Sequence, residues 1–554
     1  MNAIARPLLS ALALLLAAAP AAVARPGGPG PIPATVPEAT GWARTSTTSE
    51  VSAFMTALAR RHSELASWAP HGAPRRTDSG KPLQAWRLPA TGPDPLRVYL
   101  NGNIHAGEVE GKEAIQILLR ELLEGKHPEI RRGIELVVMP CYNAEGTDEL
   151  DPKIRRHQPN PASGVGRRET DRGLDLNRDG MKAEAPNTRW FLAMLNGFDP
   201  HAVFDLHTTN GSTHGFHLTW SPAMALGGDP ALLAFNRRML VEVRDQLKAQ
   251  GLPTWDYGNF APDEKAKTAP ERWETYDPLP RYLVNYAGLQ GRLGILSEAY
   301  VYRTFEERVR DTHTFLLASL RWMAEHAEAV KAATAVRGHA LSAGQALPLA
   351  ARLKETERGA FDLVALERDA EGRPVRETGR RTLTLPSFAS FEDLPEGRVT
   401  APAGYLVDGA WAARVQPVLE AHGIKTFPGK LRLPLPLSHF AESARKLSSR
   451  PFQGVFELDL QGRWSPEPPQ GQAPWSPEDQ DRALWVPLAQ PRGRVAFYLL
   501  DPRSPDGLFH WGTFHSALLR GGWGEAPRFP LLAVGAPLER FDALTGAPGA
   551  MKQE

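Results

Sequence analysis

The chain has 554 residues and almost balances its charge, with 64 Lys and Arg against 63 Asp and Glu for a net +1. That balance gives no footing to nucleic acid or to an acidic membrane surface as a partner. The length allows two or three domains, and the single cysteine, Cys141, excludes an intramolecular disulfide, so stability must come from an apolar core.

The first 24 residues predict an export signal. Arg6 supplies the basic start, Leu8–Ala19 a short Leu/Ala run, and Ala22-Val-Ala24 a small-residue cleavage site. The run is too short to cross a bilayer, and no Cys follows it to carry a lipid. A secreted or periplasmic protein starting near Arg25 is therefore expected, with no transmembrane segment. Arg25–Ala39 is rich in Pro, Gly and Ala, and residues 25–45 read as a flexible leader. Ser49–Ala66 has helical spacing, while Leu83–Leu88 and Leu96–Leu100 read as neighbouring strands. Leu100 runs into the turn signal Asn-Gly-Asn and then His105-Ala-Gly-Glu108, after which Val109–Leu123 reads as a helix closed by Gly125. Ile134–Met139 is a continuous apolar run that fits a buried strand.

Asn143–Asp175 is a long polar stretch containing Arg155, Arg156, Arg167 and Arg168, and a loop of that length is usually functional. It ends in Gly173-Leu-Asp-Leu-Asn-Arg-Asp179. A short strand, Ala202–Leu206, then leads into His207-Thr-Thr-Asn-Gly211. Pro230–Gln250 reads as a helix, Leu293–Leu296 as a strand ending in Ser297-Glu298, and Phe305–Lys331 as a long helix. Strands alternating with helices predict an α/β domain over 46–335, with a mixed, mostly parallel sheet flanked by helices. Beyond about Ala335 helical patterning fades, apart from Ala412–His422. Short runs such as Gly359–Leu366 and Val495–Leu500 sit between Gly and Pro clusters. These predict a mostly β C-terminal domain over 340–554, free of catalytic groups. Trp485-Val-Pro and Trp511 are its candidate contacts with the first domain.

Four chemically able residues fall at strand ends: His105, Glu108, His207 and Glu298. The carboxyl ends of strands are where open α/β sheets place their ligands. Imidazole nitrogen and carboxylate oxygen suit Zn²⁺, and two His with one Glu leave a fourth position for water, as catalytic zinc sites do. His207 is preferred over His214 and His217 because it alone directly follows an apolar strand.

The order His105-Ala-Gly-Glu108, Asp175-Leu-Asn177-Arg178, Leu206-His207-Thr208 and Leu296-Ser-Glu298 resembles the carboxypeptidase A-like zinc metallocarboxypeptidases, over Ser49–Lys331. The resemblance implies one zinc per chain on His105, Glu108 and His207, and Glu298 as the general base. It also implies that Asp175 orients His105, and that Asn177 and Arg178 grip the terminal carboxylate of a peptide or protein substrate. The family's oxyanion-stabilising Arg falls on Arg168 by its distance from Asn177, with Arg167 and Arg156 as rivals. For the family's mobile Tyr, Tyr276, Tyr282 and Tyr286 compete, and Tyr286 is taken as the substrate-binding candidate. A monomer is expected. The specificity region departs from the pancreatic-type pattern, with Asp277-Pro-Leu-Pro-Arg281 before the late Glu and Thr-Thr-Asn-Gly after His207. Its preference stays open between an acidic residue, favoured by Arg281 and Arg292, and an apolar one, favoured by Leu283 and Val284. The rival functions are a zinc-dependent small-molecule deacylase of the aspartoacylase or desuccinylase type, a cell-wall peptide hydrolase of the same fold, and a binding protein with a decayed site.

Overall fold

The computed structural model describes residues 33–262, 270–370, 372–431, 437–519 and 528–536. The expected export signal, residues 1–24, lies outside them, as does the first part of the expected leader. The described part of that leader is docked rather than flexible. Val36–Ala39 forms a short helix whose Glu38 pairs with Arg120 at 2.6 Å, and Thr45 and Ser46 are buried on the Glu113 carboxylate at 2.8 Å.

Ten strands precede residue 300 among the described residues. They are β1 (Ala66–Trp68), β2 (Ala85–Leu88), β3 (Leu96–Gly102), β4 (Ile134–Met139), β5 (Ala202–Thr208), β6 (Leu218–Pro222), β7 (Thr254–Asp256), β8 (Asn259–Pro262), β9 (Pro270–Glu274) and β10 (Leu293–Ala299). The central sheet takes the order β1-β2-β4-β3-β5-β10-β6-β7, and β4, β3, β5 and β10 run parallel. The antiparallel β1 and β2 close one edge, and β6 pairs antiparallel with β10 on the other side. This is the mixed, mostly parallel sheet the alternation predicts. β2 and β3 are not neighbours, however. β4 returns between them because the helix Glu110–Leu123 carries the chain over to a parallel partner, whereas a tight hairpin would have joined the two directly. The helix predicted over Phe305–Lys331 is likewise broken at His326, into Phe305–Glu325 and Ala327–Ala333.

Every residue of β4, β5 and β10 is buried, so both faces of the sheet are covered. On one face Val98, Leu100, Leu136, Val138 and Phe204 meet the helices Thr48–Arg61, Glu110–Leu123, Pro230–Ala249 and Phe305–Glu325. On the other, Tyr99, Val137, Met139 and Val203 meet Pro186–Gly197 and Leu283–Leu289. The apolar cluster on that second face does not stop at residue 335. It continues through Leu341, Tyr405, Leu419, Phe497 and Leu531, so the C-terminal region packs as a further layer on the α/β part.

That region supplies further sheets. Phe427–Gly429, Ala483–Pro487, Gly404–Val407, Leu531–Val534, Leu437–Leu447 and Leu458–Ser465 make one sheet in that order. The long hairpin Ala351–Arg368/Pro374–Asp393 joins β9 and β8 in another. Helices are present as well, at Gly409–Ala421 and Gly493–Leu500. Val495–Leu500, which its Gly- and Pro-flanked position aligns with strands, is therefore helical. A short run that is apolar on every side fits either form, and here all six residues are buried.

Candidate metal centre and active site

The centre is built at the carboxyl ends of β3, β5 and β10. After β3 the chain turns through Asn103, which adopts φ +61°, a backbone that Asn tolerates better than most residues. Its Nδ2 donates to the carbonyls of His105 at 3.3 Å and Glu108 at 3.1 Å, which closes the His-Ala-Gly-Glu loop on itself. Helix and sheet approach closely just beyond, where a Cβ on Gly111 would lie 2.5 Å from the Leu206 Cβ. His105 and Glu108 are thereby set beside His207, the penultimate residue of β5.

His105, Glu108 and His207 are all buried, and they present ligand atoms within 4.8 Å of one another. Glu108 Oε1 lies 3.2 Å from His105 Nδ1, and Oε2 lies 2.9 Å from His207 Nδ1. His105 Nδ1 is buried without a hydrogen-bond partner, and an orphaned imidazole nitrogen facing a carboxylate and a second imidazole is what a metal ion would satisfy. The outer ring nitrogens are both engaged by carboxylates. His105 Nε2 is 3.1 Å from Asp175 Oδ1, and His207 Nε2 is 2.9 Å from Asp205 Oδ2. Such partners fix the imidazole tautomer and orientation at metal sites. The donor set therefore fits a divalent metal.

The electrostatics follow from this crowding. Burial alone would raise the Glu108 carboxyl, but His105, Arg155 and His207 hold it well below the usual carboxylate range. Burial would lower His207, yet Asp205 and Glu108 push it well up. Glu298 is the Cα partner of His207 across the β5–β10 pair. Burial pushes its carboxyl up to about 8, with the His207 charge opposing and the Glu108 charge adding to the rise.

Asp175 organises the adjoining corner. Its Oδ1 accepts from the backbone N–H of Asn177 at 2.9 Å, which caps the single turn Leu176–Arg178, and its Oδ2 takes both Nε and Nη2 of Arg168 at 3.1 and 2.8 Å. The Arg178 guanidinium lies 4.6 Å from the centroid of the Tyr282 ring, and Asn177 Oδ1 accepts from the Leu283 N–H at 3.1 Å. One cavity is lined by His105, Glu108, Arg168, Asn177, Arg178, His207 and Glu298, together with Tyr257, Tyr276, Tyr282, Val284 and Leu296.

The structure thus brings together the expected His105, Glu108, His207, Glu298, Asn177, Arg178 and Arg168. Tyr286 is a correction. It is fully buried away from the cavity, with its hydroxyl 2.6 Å from His422 Nδ1 and its ring against Phe191. Tyr257, Tyr276 and Tyr282 line the cavity instead. Of the rival arginines, Arg167 is tied to Asp171 at 2.7 Å and Arg156 is exposed. Arg281 and Arg292 do not line the cavity either, being paired with Asp506 and Asp199. Besides Tyr257, two contributors escape the sequence reading. Arg155 donates to Glu108 Oε1 at 3.0 Å and to the Thr209 carbonyl at 2.8 Å, with nothing in its local pattern to single it out. Asp205 did leave a signal, since two residues before His207 on a strand is the same face.

A profile of the zinc carboxypeptidase family matches residues 51–204, a span that holds His105, Glu108, Asp175, Asn177 and Arg178. Residues 51–204 thus carry the sequence pattern of a zinc carboxypeptidase domain. The profile match ends just short of His207, and the geometry above supplies His207 and Glu298. Among curated proteins, "Probable carboxypeptidase 2" of Arthroderma benhamiae is 26% identical over 172 residues, which are 29% of each chain. Carboxypeptidase 2 of Trichophyton rubrum is 24% identical over 163 residues, 28% of this chain and 27% of that one. The chain thus covers less than a third of the length of these relatives. Among solved structures, a metallo-carboxypeptidase from Burkholderia cenocepacia superposes with a TM-score of 0.38 at 15% identity, covering 51% of this chain and 70% of that one.

Proposed function

We propose that this chain is an exported zinc-dependent carboxypeptidase that removes the last residue of peptides and proteins, with a preference for an apolar one. The observation that carries the reading is a single cavity holding the metal-binding triad, the buried Glu298 and the Asn177–Arg178 pair. When bound by His105, Glu108 and His207, zinc would polarise the scissile carbonyl and acidify a water.

The chain's own residues would do the rest. Arg178 presents a planar fork to the terminal carboxylate and Asn177 lies beside it, a grip that a lysine would make poorly. Arg168 faces the same corner. Its Nε and Nη2 are held by Asp175, while its Nη1 lies 3.7 Å from Glu108 Oε1, so it brings positive charge to where an oxyanion would develop. Glu298 takes a proton from the attacking water and hands it to the leaving amine. Its burial favours the neutral form, and a neighbouring dication would favour the charged form again, which suits a group that must do both.

With the carboxylate at Arg178 and the scissile carbonyl at the triad, the terminal side chain meets the remaining wall. There Tyr257, Tyr276, Val284 and Leu296 form an apolar stretch with Ala223 packed behind it, beside the polar but uncharged Thr208 and Asn210. An uncharged wall of this kind favours an apolar terminal residue. Among the described residues no helix is long and apolar enough to cross a membrane.

The test is turnover of one peptide ending in Phe, with its C-terminus free or amidated. Release of Phe from the free form, suppressed by a chelator and nearly absent from the amide, is the expected result. Cleavage of N-acyl amino acids and of no peptide would favour the deacylase instead.

A further inference from the structure

Arg281 is where the α/β part and the C-terminal region meet, and its backbone is held from both sides. Its carbonyl accepts from the Gly180 N–H at 3.0 Å. The approach is so close that a Cβ on Gly180 would lie 2.8 Å from that oxygen. Its N–H donates to Asp506 Oδ2 at 2.6 Å. The side chain follows the same direction: Nε lies 3.0 Å from Asp506 Oδ1, Nη2 donates to the Pro505 carbonyl at 3.2 Å, and the guanidinium lies 4.6 Å from the centroid of the Trp511 ring. Trp511 in turn donates its Nε1–H to Asp506 Oδ1 at 2.8 Å and carries the Lys182 ammonium 4.7 Å from its ring. Asp506 is fully buried, and both of its oxygens are spent on Arg281 and Trp511. Charge-assisted bonds in so dry a place hold their geometry well.

The next two residues are the ones on which the carboxylate grip rests. The Tyr282 ring lies beside the Arg178 guanidinium, and the Leu283 N–H holds the Asn177 side chain. Fixing Arg281 therefore fixes the supports of both gripping residues. Lys182, four residues beyond Arg178, is held against the same Trp511.

We propose that Asp506 and Trp511 are positioning residues for the substrate-carboxylate site, so that the C-terminal region sets how tightly this enzyme holds a peptide's end. The proposal rests on the reading of Asn177 and Arg178 as that site. Neither Asp506 nor Trp511 touches the cavity, so their effect passes through Arg281 to Tyr282 and Leu283. A displacement of about 1 Å in such a site can cost up to about 10²-fold.

The experiment compares native protein with Asp506→Asn, which keeps an acceptor for the Arg281 N–H but loses the charge. On the peptide with a free C-terminus, KM is expected to rise at least about 10-fold with kcat within about 2-fold, the pattern of lost ground-state binding. Residual cleavage of the amidated peptide and zinc content should not change. Equal losses on both peptides, or a fall in kcat at constant KM, would overturn the proposal, because a merely structural role gives that result. If Asp506→Asn does not fold, Trp511→Phe takes its place, since it keeps a ring beside Arg281 and removes only the N–H to Asp506. The same split is expected there at smaller size, and an unchanged KM would overturn the proposal.

A second readout needs no turnover. Calorimetry of N-acetyl-phenylalanine and its amide on metal-free protein should show that native protein prefers the carboxylate and that the variant loses the preference. Native protein with that preference but no peptidase activity would sink the proposed function and leave the positioning role standing. Native protein without it would overturn the positioning role together with the grip.

Discussion

Replacing Arg178 with Ala should separate substrates by their C-terminus. The Arg178 side chain is about a quarter exposed, stacked at 4.6 Å on Tyr282, with Nη1 bonded to the Asn177 carbonyl at 2.9 Å. The acid beside it, Asp175, lies 4.0 Å away and is already held by both Nε and Nη2 of Arg168. Arg178 is thus the guanidinium of this corner that Asp175 does not engage directly, which leaves its charge for a substrate's end. A hydrogen bond to a charged group contributes about 1.5–3 kcal/mol, and partial exposure places Arg178 toward the lower half of that range. Arg178→Ala should then lower kcat/KM on a free peptide by about 10–150-fold, with values near the lower end expected. On the amidated peptide the loss should be small, and Arg178→Lys should fall between Ala and native, because it keeps the charge and loses the fork. Initial rates on the matched peptide pair provide the measurement. The same fold-loss on both peptides would refute the reasoning, since it would mean that Arg178 supports the site as a whole and does not read the carboxylate.

Glu298→Gln should keep zinc and fold while losing about 10²–10⁴-fold in turnover, since an amide cannot take the proton; near-native rates would move the base elsewhere. Asp205→Asn should weaken zinc binding by about 10–100-fold in competition with a chelator, because the His207 Nε2 contact at 2.9 Å loses its charge; an undiminished affinity would show that His207 is oriented by other contacts. Val284→Asp places an acid in the uncharged wall and should exchange preference for a terminal Phe for preference for a terminal Lys or Arg. An unaltered preference profile would place the terminal side chain against another wall.

The candidate metal site is legible because its signals are local. A turn directly after an apolar strand exposes His105 and Glu108 at the sheet's end, and a His closing the next buried run is placed by the strand itself. β-strand alternation extends this one step further, since Asp205 shares the face of His207 and could have been read the same way. The tyrosines were not legible by such means. Tyr282 and Tyr286 flank one turn of the helix Leu283–Leu289, and distance from Glu298 cannot say which of them faces the cavity. That choice is made by His422, which receives the Tyr286 hydroxyl from the far side. The short apolar run at Val495–Leu500 failed for a related reason, because being buried on every side leaves no period to read.

What decides between the two tyrosines also explains why a boundary near residue 335 was readable in composition without being a boundary in packing. Patterning reports the local conformation, and that does change there, from alternating helix and strand to long hairpins. It is blind to the partner of an exposed-looking apolar face. The face of the α/β sheet that bears Tyr99, Val137 and Val203 is closed by Pro186–Gly197 and Leu283–Leu289, and these are in turn covered by Val415, Leu419 and Phe497 from beyond the boundary. The same dependence reaches the cavity through Arg281, whose partner Asp506 lies 225 residues downstream. A truncation at 335 would therefore strip the cover from the second face and leave Arg281 without its carboxylate. An uncovered apolar face of that extent invites aggregation rather than a smaller enzyme.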